Sequence, residues 1–92
     1  MNNKDAPIGI FDSGVGGLTV MKEIEEILPY ESLIYLGDTA RTPYGTRSQE
    51  RIKKLSFRNI LFLEQFKVKL VVVACNTSSA VALDYLRENF SI

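Results

Sequence analysis

The sequence predicts an α/β fold: a three-stranded parallel sheet flanked by helices, which forms part of a doubly wound domain. Short apolar runs of strand length alternate with longer segments in which apolar residues recur at helical spacing. Each strand is separated from the next helix by residues that favour turns and helix starts. This alternation implies right-handed crossovers between parallel strands, and the common order places the first strand between the second and third.

Composition limits the class of protein. Ninety-two residues allow one small domain, and a 46% hydrophobic, 24% charged composition is ordinary for a soluble one. Eleven basic and eleven acidic residues argue against nucleic acid or an anionic membrane as partner. The polar start, the absence of an apolar run of membrane-spanning length and the single cysteine favour the cytoplasm. The lack of histidine excludes a Cys-His centre or a His-ligated metal site built from this chain alone.

The first unit is a strand at residues 7–11, a turn at 12–17 and a helix that begins near Gly17 or Leu18 and stops at Pro29. The turn contains three glycines, but its spacing departs from G-x-G-x-x-G and the chain has no P-loop signature. The glycines therefore indicate either a nucleotide site or only a tight turn with close helix packing. The helix presents an apolar stripe of Leu18, Met21, Ile24, Ile27 and Leu28.

The second unit begins with a strand at residues 32–36, followed by a long connection over 37–47. Loops of this length are often functional, and Pro43 should hold Thr42 extended. Thr46 and Gln49 fit a capping box at the start of a helix over residues 48–66, although chance gives the same spacing. The helix positions expected to be buried are Ile52, Leu55, Ile60, Leu63 and Phe66.

The third unit is a strand at residues 68–74 and a helix over 78–89, with Cys75 between them. The run Val71-Val72-Val73 is typical of a strand buried on both faces. A cysteine near a helix start is in a field that favours the reactive thiolate. A lone cysteine at the end of a strand is also commonly an inert, buried, small hydrophobic residue, and both interpretations remain open here.

The predicted strand order brings the carboxyl ends of strands 1 and 3 together, where open α/β sheets bind ligands. We therefore expect Asp12 and Ser13 to share one cleft with Cys75, Asn76 and Thr77, with the Asp12 carboxylate near the sulfur. Two helix starts at this cleft suit a small ligand with two anionic ends. Asp12 could orient an ammonium group, take part in proton transfer or only cap the following helix. A thiol without histidine or metal suits proton transfer at carbon or covalent attack.

Three motifs, in this order and spacing, resemble bacterial glutamate racemase of the aspartate/glutamate racemase family. They are Asp12-Ser13-Gly14-Val15-Gly16-Gly17, the stretch from Gly37 to Gly45 (GDTARTPYG), and Ala74-Cys75-Asn76-Thr77. The resemblance extends from Ile8 to Leu86. It implies an enzyme that uses no cofactor and no metal, and that makes D-glutamate for cell-wall peptidoglycan.

The resemblance also implies residue roles. Cys75 would be the base that acts on D-glutamate, with Asp12 as a further catalytic residue. Asp12, Ser13, Tyr44, Gly45, Asn76 and Thr77 match substrate-contacting positions of the family.

The chain departs from the family in lacking the second cysteine of the Cys-Thr-His motif, because it has one cysteine and no histidine. We therefore expect residues 1–92 to be an incomplete N-terminal α/β domain that does not racemise glutamate alone. Its Val71-Val72-Val73 strand would be an uncovered edge, which predicts self-association. The alternatives are an inactive binding or folding fragment, a racemase for aspartate or another small acid, and a nucleotide-binding or receiver-like module.

Overall fold

Three parallel strands form one sheet in the order β2-β1-β3 in the computed structural model, which describes residues 5–92. The strands are β1 (Ile8–Asp12), β2 (Leu33–Gly37) and β3 (Leu70–Val73). Ile10 of β1 lies opposite Tyr35 on one side and Val72 on the other. The predicted fold class and strand order are confirmed. Met1–Lys4, which belong to the polar start of the sequence, lie outside the described residues.

Three helices follow the strands: α1 (Leu18–Ile27), α2 (Gln49–Glu64) and α3 (Asn76–Asn89). Two 3₁₀ turns, Thr39–Arg41 and Tyr44–Thr46, occupy the long connection after β2. The helix predicted over 78–89 begins two residues earlier, because Cys75 itself is the N-cap. Among residues 5–92, none of the helices combines the length and apolar character needed to cross a bilayer.

The predicted capping box at Thr46 and Gln49 is wrong. Ser48 caps α2 instead, since its hydroxyl oxygen accepts a hydrogen bond from the Arg51 N–H at 3.2 Å. Thr46 donates its hydroxyl proton to the Pro43 carbonyl within the 3₁₀ turn. The real cap lies directly before the helix, where its oxygen meets an N–H that has no intrahelical partner.

The core lies between the sheet and the pair of helices α2 and α3, which pack on each other. Every residue of β1 is buried, because this strand is covered by a neighbour on each side. Gly9 lets the Leu63 and Val68 side chains approach the strand, since a Cβ there would lie 3.3 Å from each. This packing fixes the carboxyl ends of the strands relative to the starts of the helices.

Two burial predictions are wrong at the margins of the core. Phe66 is 45% exposed, because α2 ends at Glu64 and the predicted helical register stops before it. Val71, Val72 and Val73 are half-buried rather than buried on both faces, and Leu70 is 50% exposed. The physical reason is that β3 is an edge strand of the sheet formed within residues 5–92, with a neighbouring strand on one side only.

Candidate active site

Three loops converge where the strands end. A Cβ on Gly14, in the turn after β1, would lie 3.6 Å from the Thr42 hydroxyl oxygen of the loop after β2. A Cβ on Gly45 of that loop would lie 3.9 Å from the Thr77 hydroxyl oxygen at the start of α3. The sequence motifs that are distant along the chain therefore meet at one edge of the sheet, as the topology predicts.

Asp12 ends β1 and organises the turn that follows. Its carboxylate accepts hydrogen bonds from the N–H groups of Gly14 at 3.2 Å and Gly17 at 3.0 Å, and from the Tyr35 hydroxyl at 3.4 Å. The same tyrosine hydroxyl donates to the Gly14 carbonyl at 2.8 Å. This carboxylate therefore holds the turn that precedes α1, a helix whose N-cap is Gly17 and which has no side-chain cap, and the catalytic role of Asp12 stays a prediction.

The glycines of this region are required by close approach. A Cβ on Gly17 would lie 2.9 Å from the Asp12 Cβ and 3.1 Å from the Ala74 Cβ, which leaves no room for a side chain. A Cβ on Gly37 would overlap the Gly14 carbonyl oxygen. Tight packing of the first turn against β2 and β3 therefore accounts for these two positions without a bound nucleotide.

The loop after β2 is fixed by a buried carboxylate. Asp38 accepts hydrogen bonds from the Tyr44 hydroxyl, from the Asn59 amide at 3.1 Å and from the Arg41 guanidinium at 2.9 Å. Burial alone would raise the pKa of Asp38, but these hydrogen bonds outweigh it and hold the pKa below its ordinary value. The clamp joins both 3₁₀ turns of the loop to α2.

Tyr44 is 1% exposed, and its ring packs against that of Phe11 with centroids 6.2 Å apart. Burial and the neighbouring Asp38 carboxylate raise the pKa of its hydroxyl. Its side chain therefore belongs to the core and the loop clamp. A ligand can therefore contact these two residues only through the backbone of Tyr44 or through Gly45, which is exposed.

Cys75 is the N-cap of α3, and its Sγ accepts a hydrogen bond from the Ser78 N–H at 3.4 Å. Burial raises the pKa of the Cys75 thiol, but the hydrogen bonds from Ser78 and Ser13 outweigh it and hold the pKa below its ordinary value. The surroundings of the sulfur therefore favour the thiolate.

The predicted open cleft does not expose the sulfur, because Cys75 is only 4% exposed. The 3₁₀ turn Tyr44–Thr46 packs against α3, the helix that Cys75 caps. Around it, Asn76 is exposed while Ser13 and Thr77 are half-buried, so these predicted contact residues reach the surface. Ser13 is the predicted neighbour that touches Cys75, whereas the Asp12 carboxylate is held by its own turn and Tyr35.

Sequence reasoning missed several polar residues that support the site: Tyr35, Asp38, Ser56, Asn59 and Ser78. Two of them carried a signal. Ser56 and Asn59 lie within the apolar spacing of α2, where a polar residue needs a buried partner. The others could not be assigned, because their partners lie on distant elements.

Comparison with known proteins identifies what the chain is similar to. It is 55% identical over 89 residues to the glutamate racemase of Herpetosiphon aurantiacus, which covers 97% of this chain and 35% of that protein. It is 63% identical over 87 residues to the glutamate racemase of Trichormus variabilis, covering 92% of this chain and 29% of that protein. The chain thus spans about a third of the length of these relatives. No protein-family model matches it.

Solved structures agree. Thermus thermophilus glutamate racemase in complex with β-chloro-D-alanine matches with a TM-score of 0.94 and 47% identity, over 99% of this chain and 36% of that one. Francisella tularensis glutamate racemase in complex with D-glutamate matches with a TM-score of 0.89 and 49% identity, over 92% of this chain and 32% of that one. The resemblance of this chain to glutamate racemase, over about a third of that enzyme's length, is therefore confirmed in both sequence and structure.

Proposed function

We propose that this chain carries one half of a glutamate racemase site, in which Cys75 exchanges the α-proton of D-glutamate. The observation that carries the proposal is the sulfur at the start of α3, which receives hydrogen bonds from Ser13 and Ser78. The similarity to glutamate racemases, one of them solved in complex with D-glutamate, supports glutamate as the substrate.

The proposed chemistry is a proton transfer. The Cys75 thiolate takes the α-proton, which leaves a thiol and a carbanion at Cα, and a solvent-derived proton returns from the same sulfur. Inversion needs a second acid on the opposite face, and Cys75 is the only cysteine of the 92 residues. The isolated chain is therefore proposed to exchange the α-proton without interconverting the isomers.

Asp12, Ser13, Asn76 and Thr77, with the backbone of Tyr44 and Gly45, are proposed to hold the substrate. Ser13, Gly45, Asn76 and Thr77 reach the surface beside the buried sulfur, which supports a binding role. The N–H groups at the start of α3 suit a substrate carboxylate. Because Cys75 is only 4% exposed, access of a substrate to its thiol requires local opening of the residues around it.

The test is deuterium uptake at Cα of D-glutamate in heavy water, followed by NMR. We expect uptake with the wild-type chain and loss of uptake in Cys75→Ser, which keeps a side-chain acceptor at the helix cap. Circular dichroism of the same samples should show no L-glutamate. Absence of uptake would favour the alternative of an inactive binding or folding fragment, and Cys75-dependent interconversion would contradict the half-site.

A racemase acting on aspartate or another small acid is the remaining alternative, and D-aspartate should be tested beside D-glutamate. Faster uptake into aspartate would overturn glutamate as the substrate. Together with the other half of such a site, the proposed role in the cell is supply of D-glutamate for peptidoglycan in the cytoplasm, where a single free cysteine stays reduced.

We also propose that the isolated chain associates with itself through β3. Leu70, Val73, Leu83 and Phe90 are among the residues that line a groove of about 400 Å³ beside this edge strand, and unpaired strand edges bind other strands. Light scattering should detect dimers or larger species, and Leu70→Lys should reduce them because charge at an edge opposes pairing. The fully exposed Tyr30 offers a matched control, Tyr30→Lys. A monodisperse wild-type monomer would contradict the proposal.

A further inference from the structure

Two serines form a buried pair between the two packed helices. Ser56 of α2 and Ser78 of α3 are both fully buried, and the Ser56 hydroxyl donates to the Ser78 hydroxyl oxygen at 2.9 Å. The surrounding helix positions Ile52, Leu55 and Ala82 are buried and apolar. Alanine would fill either serine position without the cost of desolvating a hydroxyl, so helix packing alone does not require this pair.

The Ser56–Ser78 pair is connected to the Cys75 sulfur through Ser78. Ser78 donates its backbone N–H to the Cys75 sulfur at 3.4 Å, and hydrogen bonding by its hydroxyl is among the causes that lower the pKa of the thiol. A serine hydroxyl has one proton and two lone pairs, so it can accept one hydrogen bond while donating another. The Ser78 hydroxyl can therefore accept a hydrogen bond from Ser56 and donate one to Sγ. In this arrangement both hydroxyl protons point from α2 towards the cysteine.

We infer that Ser56 is a positioning residue that, acting through Ser78, keeps a hydroxyl proton aimed at the Cys75 sulfur. Without the Ser56 donor, the Ser78 hydroxyl is free to turn to a carbonyl one helical turn back, as serines in helices do. The thiolate would then lose part of one charge-assisted hydrogen bond. The consequence for proton transfer rests on the proposed function, whereas the effect on the sulfur itself does not.

Other groups face the sulfur and act on the same equilibrium. Ser13 donates from the turn after β1, and the Tyr35 and Tyr44 hydroxyls lie close enough for the thiolate charge to raise the pKa of each. The Asp12 carboxylate hydrogen-bonds to Tyr35, and the first turn of α3 has no acidic residue. These groups are unchanged in the serine variants, so a difference between variants reports the hydroxyl chain.

The experiment is a pH titration of the 92-residue chain labelled with ¹³C at cysteine Cβ. The single cysteine gives one resonance, and NMR does not require a reagent to reach the buried sulfur. Ser78→Ala should raise the thiol midpoint by about one pH unit, which is tenfold less thiolate below the midpoint. Ser56→Ala should lower the thiolate fraction about two- to threefold, because it weakens rather than removes the bond.

Two further variants separate positioning from packing. Ser56→Thr retains the hydroxyl and should keep the wild-type midpoint. The double variant Ser56→Ala/Ser78→Ala should have the midpoint of Ser78→Ala alone, because Ser56 has no other path to the sulfur. A wild-type midpoint in Ser56→Ala, or an additive shift in the double variant, would overturn the inference.

A measurement on the wild type covers the case in which a variant does not fold. With ¹³C-labelled serine, the Ser56 and Ser78 Cβ resonances should shift with the same midpoint as Cys75. A Ser56 resonance that ignores this midpoint would count against the inference. Because no substrate is present, these outcomes are independent of deuterium uptake into glutamate, and either proposal can fail while the other stands.

Discussion

Replacing Tyr44 with phenylalanine removes one hydroxyl and leaves the aromatic packing against Phe11 in place. That hydroxyl donates to the Asp38 carboxylate and accepts from the Asn59 amide at 2.8 Å. A hydrogen bond to a charged group contributes about 1.5–3 kcal/mol, so we expect a loss of about 2–3 kcal/mol at neutral pH. A chain of this size has a free energy of unfolding of about 5–14 kcal/mol, and the loss is therefore a large share.

The penalty should depend on pH. Because hydrogen bonds hold the Asp38 pKa below its ordinary value, the stability that they contribute is fully present above the unfolded pKa of about 4. It is lost as the pH falls through the lower, folded pKa. The difference between wild type and Tyr44→Phe should thus be largest above about pH 4 and shrink in acid, where Asp38 is protonated in both proteins.

Urea unfolding followed by circular dichroism measures this difference, at two protein concentrations so that self-association is recognised. The matched control is Tyr30→Phe, because Tyr30 is 99% exposed and its hydroxyl faces solvent. The control should change the free energy of unfolding by less than about 0.5 kcal/mol. The stabilising role of the Tyr44–Asp38 hydrogen bond is contradicted if Tyr44→Phe matches this control, or if its penalty stays constant down to acid pH.

Two other substitutions test local packing and capping. Gly17→Ala should destabilise the chain by about 1–3 kcal/mol in the same urea assay, because its Cβ would lie 2.9 Å from that of Asp12; Gly16→Ala, whose Cβ would meet nothing closer than 3.7 Å, is the control, and equal effects would contradict the steric argument. Ser48→Ala should cost about 1 kcal/mol through loss of the α2 cap. Thr46→Ala should cost less, and the reverse ranking would restore the capping box.

The fold was predictable because its signals are local and repeat along the chain. The apolar spacing at Ile52, Leu55, Ile60 and Leu63 identifies α2, and the alternation of strand and helix implies the parallel order. Element ends were less predictable, because several polar residues compete for each cap. At α3 the N-cap acceptor is the sulfur of Cys75 and not one of the hydroxyl groups that follow it.

The candidate site was predictable only in part. Its three loops follow from topology, but the partner of each side chain depends on how helices pack after they form. Ser56 and Ser78 are 22 residues apart, and nothing in either neighbourhood indicates that their hydroxyls meet. The same holds for Asn59, which reaches Asp38 across the loop after β2. Whether Cys75 is buried was left open by the sequence, because its burial depends on packing between segments that are distant along the chain.

The cap on the third helix has an electrostatic consequence. A thiolate in water is stabilised by solvent dipoles that must reorient each time the charge appears or disappears. Here the peptide N–H of Ser78 donates to Sγ at 3.4 Å, and its direction is set by the backbone. This dipole is already oriented in the folded chain. A proton can therefore leave the sulfur and return to it without reorientation of the backbone N–H group.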